Sequence, residues 1–269
     1  MFITDRLVYL QMQKTGSTHV TKVLRKFCGG KARAKHEQMT DYENFRDRLI
    51  VSSVRNPWDW YVSLWAYGSG GEGGLQKYLL HQPWSEIRQA ARHRTYGALA
   101  TSVLRLATQA GRRPDWESLY ADGRNEANFR AWLKLVLGKE GRHITKEGYA
   151  GSPVKSVIGF MTYRFLALTT EYRAWNAEGR KARSYSQLSD FVDRNTITGR
   201  VMRMESLNAD LLDVLQSVGE PVTMDDLNAL APTNTSVHRK YNDYYDNECY
   251  DLVAERDRLI IERYGYKAF

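Results

Sequence analysis

Residues 7–27, "LVYLQMQKTGSTHVTKVLRKF", restrict the fold more than any other stretch. Leu7 to Met12 form a short apolar run without helical spacing, which predicts a buried strand. Val20, Val23, Leu24 and Phe27 then recur at three- and four-residue intervals, as in an amphipathic helix, and Gly29-Gly30 end it. Between the two lies a tight loop, Lys14-Thr15-Gly16-Ser17-Thr18. A strand, a glycine loop and a helix in this order aim the first N–H groups of the helix, and the positive end of its dipole, outward. That arrangement holds anions. Gly16 allows close backbone approach, Ser17 and Thr18 add hydroxyl donors, and Lys14 adds a point charge. A Walker-type loop carries its lysine after the second glycine, G-x-x-x-x-G-K-[ST]. Here Lys14 precedes Gly16, so the loop departs from the ATP pattern. Taken alone, the motif also fits a tight turn with a solvent-facing lysine.

A second strand is predicted at "RLIVSSV", residues 48–54. It ends at Arg55, after which Asn56-Pro57 supplies a helix N-cap and a first-turn proline. Arg55 thus stands at the C-terminal end of a strand, where open α/β sheets bind ligands. Ser63 follows eight residues later on the helix. The guanidinium can fork onto a phosphate while the serine hydroxyl donates to the same group. The plainer alternative is an arginine paired with an acidic neighbour and a serine that fills a helix.

Downstream, "GSGGEGG" at 68–74 has five glycines in seven positions and predicts a flexible linker or a flap over a substrate. Residues 75–150 read as helical and basic, with Trp84, Trp116 and Trp132 spread through them. "RFLAL" at 164–168 and "RVMRMESL" at 200–207 read as later strands. Helices follow from about Ala209 to Val218 and from about Asp246 to Tyr264. Alternating strands and helices predict one α/β domain over residues 1–269, a three-layer sandwich with a mostly parallel central sheet and helices on both faces.

The composition excludes several classes. With 42% hydrophobic and 26% charged residues the chain is that of an ordinary globular protein. It contains no run of about 18 apolar residues, so no membrane span is expected. The N-terminus "MFITDRLVYL" has no basic segment followed by an apolar one, so no secretory signal is expected. Cys28 and Cys249 are the only cysteines, too few for a disulfide framework or a metal quartet. The expected compartment is the reducing cytoplasm. A net charge of +8, from 39 basic and 31 acidic residues, suits anionic ligands.

Taken together, K-T-G-S-T after the first strand and R-N-P-x-x-x-x-x-S after the second resemble the sulfotransferases that use 3′-phosphoadenosine 5′-phosphosulfate (PAPS), with their P-loop-type fold. The tail, "RMESL", "NTSVHRKYNDYYDNECYDLV" and "ERYGYKAF", resembles the closing segment of carbohydrate-type members. The resemblance covers the two ends of the chain. Residues 75–160 have no counterpart and are expected to form a helical insertion on the acceptor side. The resemblance implies that Lys14, Thr15, Gly16, Ser17 and Thr18 hold the 5′-phosphosulfate, and that Arg55 and Ser63 hold the 3′-phosphate. It implies PAPS as co-substrate, a hydroxyl acceptor such as a carbohydrate, no metal and no nucleic-acid partner.

Transfer to a hydroxyl needs in-line attack, proton removal from the acceptor and stabilisation of the departing oxygen. Lys14 suits the last task. His36, in "ARAKHEQMTDY", is the expected base, because a histidine titrates in the useful range. Glu37 is its rival, and a surface histidine in a basic loop is the plainer reading. His19, inside the loop motif, is expected to pack or to donate to the nucleotide. Ser236, His238, Arg239 and Lys240 are candidates for closing over it. Two other functions remain open: a P-loop kinase of small molecules using ATP and Mg²⁺, and a nucleic-acid-binding protein using the arginines between Arg88 and Arg113.

Overall fold

The computed structural model describes residues 1–80, 92, 114–139, 142, 145, 147–230 and 239–267. Its sheet contains β1 (Phe2–Ile3), β2 (Leu7–Leu10), β3 (Lys31–Ala32), β4 (Leu49–Val54) and β5 (Arg200–Arg203), in the spatial order β3-β1-β2-β4-β5. β2, β4 and β5 run parallel, with Leu7 opposite Leu49 and Val51 opposite Arg200. β1 pairs antiparallel with both β2 and β3, so the sheet is mixed and its middle is parallel. The fold is α/β, as the strand and helix pattern predicts.

The helices are α1 (Ser17–Phe27), α2 (Pro57–Ser69), α3 (Gly74–Leu80), α4 (Trp116–Tyr120), α5 (Glu126–Leu137), α6 (Phe160–Thr169), α7 (Tyr172–Ala177), α8 (Tyr185–Asn195), α9 (Leu207–Ser217), α10 (Met224–Asn228), α11 (Asn247–Arg256) and α12 (Arg258–Tyr264). The pleat divides the sheet residues between two faces. Leu7, Tyr9 and Val51 pack with Val20, Val23 and Leu24 of α1 and with Leu211, Val214 and Leu215 of α9. Val8, Leu10 and Ile50 pack instead against Met1, Met39, Phe45 and Ile197. A third and larger cluster joins the sheet through Met12 and Val54, at the C-terminal ends of β2 and β4. It is an aromatic body in which Trp58, Trp60, Trp65, Trp132 and Trp175 are all fully buried.

Three sequence expectations need correction. "RFLAL" belongs to helix α6, not to a strand. All ten residues of α6 are buried, so no polar stripe exposes a helical period, and a short apolar run of this kind looks like a core strand. The glycine segment does not begin as a linker, because α2 continues through Gly68 to Ser69. A Cβ on Gly68 would lie 2.6 Å from the Tyr120 ring, so that glycine is there for helix packing. The final helix is two helices, α11 and α12, broken at Asp257. The Asp257 side chain is fully buried, where it accepts from Thr162 N at 2.9 Å, Thr162 Oγ1 at 2.6 Å and Tyr61 Oη at 2.8 Å. Of the expected insertion, residue 92 is the single described position between 81 and 113, so Trp84 and most of the arginine stretch lie outside the described residues.

Candidate active site

The loop between β2 and α1 is shaped by two left-handed residues, Lys14 (φ 61°) and Gly16 (φ 74°). Only glycine fits at 16: a Cβ there would lie 2.4 Å from Leu207 Cδ2 and 2.8 Å from Met204 Sδ. Gly16 is the N-cap of α1, no side chain caps that helix, and its first turn carries no acidic residue. The outward N–H groups at Ser17 and after are therefore left for another acceptor. The start of α2 is the contrast. Asn56 Oδ1 accepts from Trp58 N at 3.0 Å, and Glu205 Oε1 accepts from Asn56 N at 2.6 Å. Of the α1 and α2 starts, α1 is the one that no side chain fills.

Side chains of the loop point to different tasks. Thr15 is fully buried, and its hydroxyl donates to Met12 O at 2.9 Å and meets Ser53 Oγ at 2.7 Å. Ser53 in turn meets Tyr9 Oη at 2.6 Å. This hydroxyl chain ties the loop to β4, so Thr15 has its backbone but not its side chain to offer an anion. Ser17 and Thr18 are half-buried at the start of α1. His19 packs: its Nε2 lies 2.8 Å from Asn208 Oδ1 on α9.

Lys14 places its ammonium 3.9 Å from the centroid of the Tyr67 ring on α2. Burial, and secondarily the Arg55 charge, bring its pKa down to about 8. Arg55 donates from Nη1 to the Lys14 carbonyl at 3.2 Å, which joins the second motif to the first. The rest of its guanidinium is engaged by Asp59, with Nε–Oδ2 at 2.8 Å and Nη2–Oδ2 at 2.7 Å. The acidic-neighbour alternative for Arg55 is thus realised, although the arginine also touches the loop. Ser63, two turns along α2, is fully buried.

His36 reaches the loop from outside the motif. Its backbone is left-handed (φ 60°), and Nδ1 lies 2.7 Å from the carbonyl oxygen of Gln11, the residue after β2. A carbonyl only accepts, so Nδ1 carries the proton and Nε2 carries the lone pair. Burial pushes the His36 pKa below its ordinary 6.5, helped by the Arg164 charge and opposed by the Gln11 bond. A neutral histidine with its tautomer fixed in this way is fit to accept a proton. It borders a cleft of about 420 Å³, lined also by Gln13, Arg164, Trp175 and Arg180. Glu37 is half-buried and is not among the residues lining that cleft.

In the tail, Arg239 donates from Nη2 to Arg124 O at 2.6 Å and to Glu126 Oε1 at 2.5 Å, which anchors it at the start of α5. Ser236 and His238 lie outside the described residues, and Lys240 is exposed. Among the described residues, no three His, Cys, Asp or Glu side chains gather as they would around a metal, and no helix is long and apolar enough to cross a membrane.

Gln13, Tyr67, Arg164 and Glu205 were not expected from the sequence. Gln13 sits one residue before Lys14, and its carbonyl accepts from Trp60 Nε1 at 2.7 Å. The position of Gln13 and the place of Glu205 in the "RMESL" segment were the available hints; Tyr67 and Arg164 enter from other elements without a local signal. Compared with protein-family models, with curated proteins and with solved structures, the chain matches none.

Proposed function

We propose that this protein is a PAPS-dependent sulfotransferase that transfers a sulfuryl group to a hydroxyl of a carbohydrate or similar polar acceptor, on a P-loop-type three-layer fold. One observation carries this reading: an α1 N-terminus that no side chain caps, behind a left-handed Lys14-Thr15-Gly16 loop, with the ring of His36 held on the adjoining Gln11 carbonyl. Bound in that loop, the nucleotide would supply the sulfuryl group. The backbone N–H groups of α1 and the Lys14 ammonium would take up charge on the phosphate oxygen as its bond to sulfur breaks. His36 Nε2 would receive the acceptor proton as the new oxygen–sulfur bond forms. Arg55 would hold the 3′-phosphate, exchanging part of its contact with Asp59 for it.

Three variants separate these roles when cofactor affinity is measured by calorimetry and turnover at saturating cofactor. Lys14→Ala should cost on the order of 10²–10³ in turnover and weaken product binding only modestly, since its target charge develops in the transition state. Arg55→Ala should weaken cofactor binding, because a phosphate contact is made in ground and transition states alike. His36→Ala should lower turnover with cofactor affinity nearly intact. Wild-type turnover in Lys14→Ala would remove the loop from the reaction and the proposal with it.

A further inference from the structure

The cleft beside His36 has a chemistry of its own. It opens between Gln13 of the loop, the 35–38 segment, α6 and α7. Arg164, on its wall, is neutralised by Glu147 through Nε–Oε2 at 2.7 Å and Nη2–Oε1 at 2.5 Å. Arg180 is not: it donates to Ser152 Oγ at 3.0 Å, Asn176 Oδ1 at 3.0 Å and Gly148 O at 3.2 Å, all of them neutral. A guanidinium has five N–H donors, so two remain. Lys35, exposed at the rim, has no carboxylate partner among the described residues. Among the described residues, Arg180 and Lys35 thus leave the cleft with two uncompensated positive charges. Tyr163 and Trp175, packed edge to face at 5.4 Å and both buried, brace the cleft from behind.

We propose that this cleft binds the acceptor, and that the acceptor is a sugar ring bearing a carboxylate, a hexuronic acid residue. The inference rests on the sulfotransferase reading for the word acceptor, but not for the ligand. About 420 Å³ admits a sugar ring with room for part of a second. The carboxylate meets Arg180 and Lys35. Ring hydroxyls meet the half-buried polar side chains of Gln38 and Asn176 on the lining. One hydroxyl is thereby brought to His36, next to the Lys14 loop.

The test is binding of methyl β-D-glucuronide against methyl β-D-glucoside, which differ in the carboxylate, by saturation-transfer NMR and calorimetry. Both are run with and without adenosine 3′,5′-bisphosphate, whose own affinity is measured on the same samples. The glucuronide should bind about tenfold tighter, the worth of one charge-assisted contact. Lys35→Gln, at an exposed position that does not threaten the fold, and Arg180→Gln, checked by its melting curve, should each reduce that preference and leave glucoside binding unchanged. Equal binding of the two sugars, no binding of either, or a preference indifferent to both variants would overturn the assignment. If the bisphosphate binds and the sugar does not, the acceptor inference fails alone. If the sugar binds and the bisphosphate does not, the cleft stands and the sulfotransferase reading fails.

Discussion

At the scale of single residues, two titrations define the working range. His36 has its pKa lowered by burial, so its Nε2 lone pair is present at pH 7 and is lost on acidification below the ordinary histidine value of 6.5. Lys14, lowered to about 8, is charged at pH 7 and loses that charge as pH rises through 8. Turnover at saturating cofactor should accordingly fall on both sides of a window between the two. The acidic limb should vanish in His36→Ala, and the basic limb should move out of range in Lys14→Arg, whose guanidinium does not titrate there. A profile with neither limb would separate both groups from the reaction. Lys14, Gly16 and the place of His36 were legible because each belongs to a local pattern or lies between two recognisable strands. What Thr15 and His19 touch was not, since Ser53 and Asn208 come from other parts of the chain. For Arg55 the sequence left two readings, and the Asp59 pair shows why: Asp59 is the acidic residue one helical turn ahead of it.

At the scale of elements, the starts of α1 and α2 differ in what fills them. Asp59 serves α2 twice, as a first-turn acid and as the partner of Arg55. If a 3′-phosphate shares that guanidinium, Asp59 competes with it. Asp59→Asn should then tighten adenosine 3′,5′-bisphosphate binding several-fold by calorimetry, while loss of the helix-end charge costs about 0.3–1 kcal/mol in denaturant unfolding. Weaker binding would mean that Asp59 positions Arg55 instead. The break between α11 and α12 depends on a buried carboxylate that α6 and α2 both use. Asp257→Ala leaves the Thr162 donors and the Tyr61 hydroxyl without an acceptor, and should cost about 2–4 kcal/mol by chemical denaturation. A loss below 1 kcal/mol would mean the site relaxes around the missing group. Helix α6 shows where pattern reading fails. Its burial on every side removes the contrast on which a helical period depends, and it carries Arg164, Tyr163, Ala167 and Leu168 of the cleft. A misread element hides the residues it presents.

At the scale of the whole molecule, three parallel strands bring the loop after β2, the Arg55 end of β4 and the Glu205 turn after β5 to one edge of the sheet. The aromatic body joins the sheet at that same edge through Met12 and Val54, and it supplies the α6–α7 wall of the cleft. The parallel sheet was readable from the order of apolar runs and turns. The antiparallel β1 and β3 were not, because two-residue strands carry no period. The central claim, that the uncapped loop and Arg55 hold a nucleotide phosphorylated at both 3′ and 5′ positions, has a direct measurement: the melting temperature with adenosine 3′,5′-bisphosphate or with AMP, in excess EDTA. At a concentration of 100 Kd the bisphosphate should contribute about 2.7 kcal/mol and raise the melting temperature by several degrees, with AMP giving a small shift and the chelator changing neither. Equal shifts from the two nucleotides, or a shift that requires Mg²⁺, would contradict it.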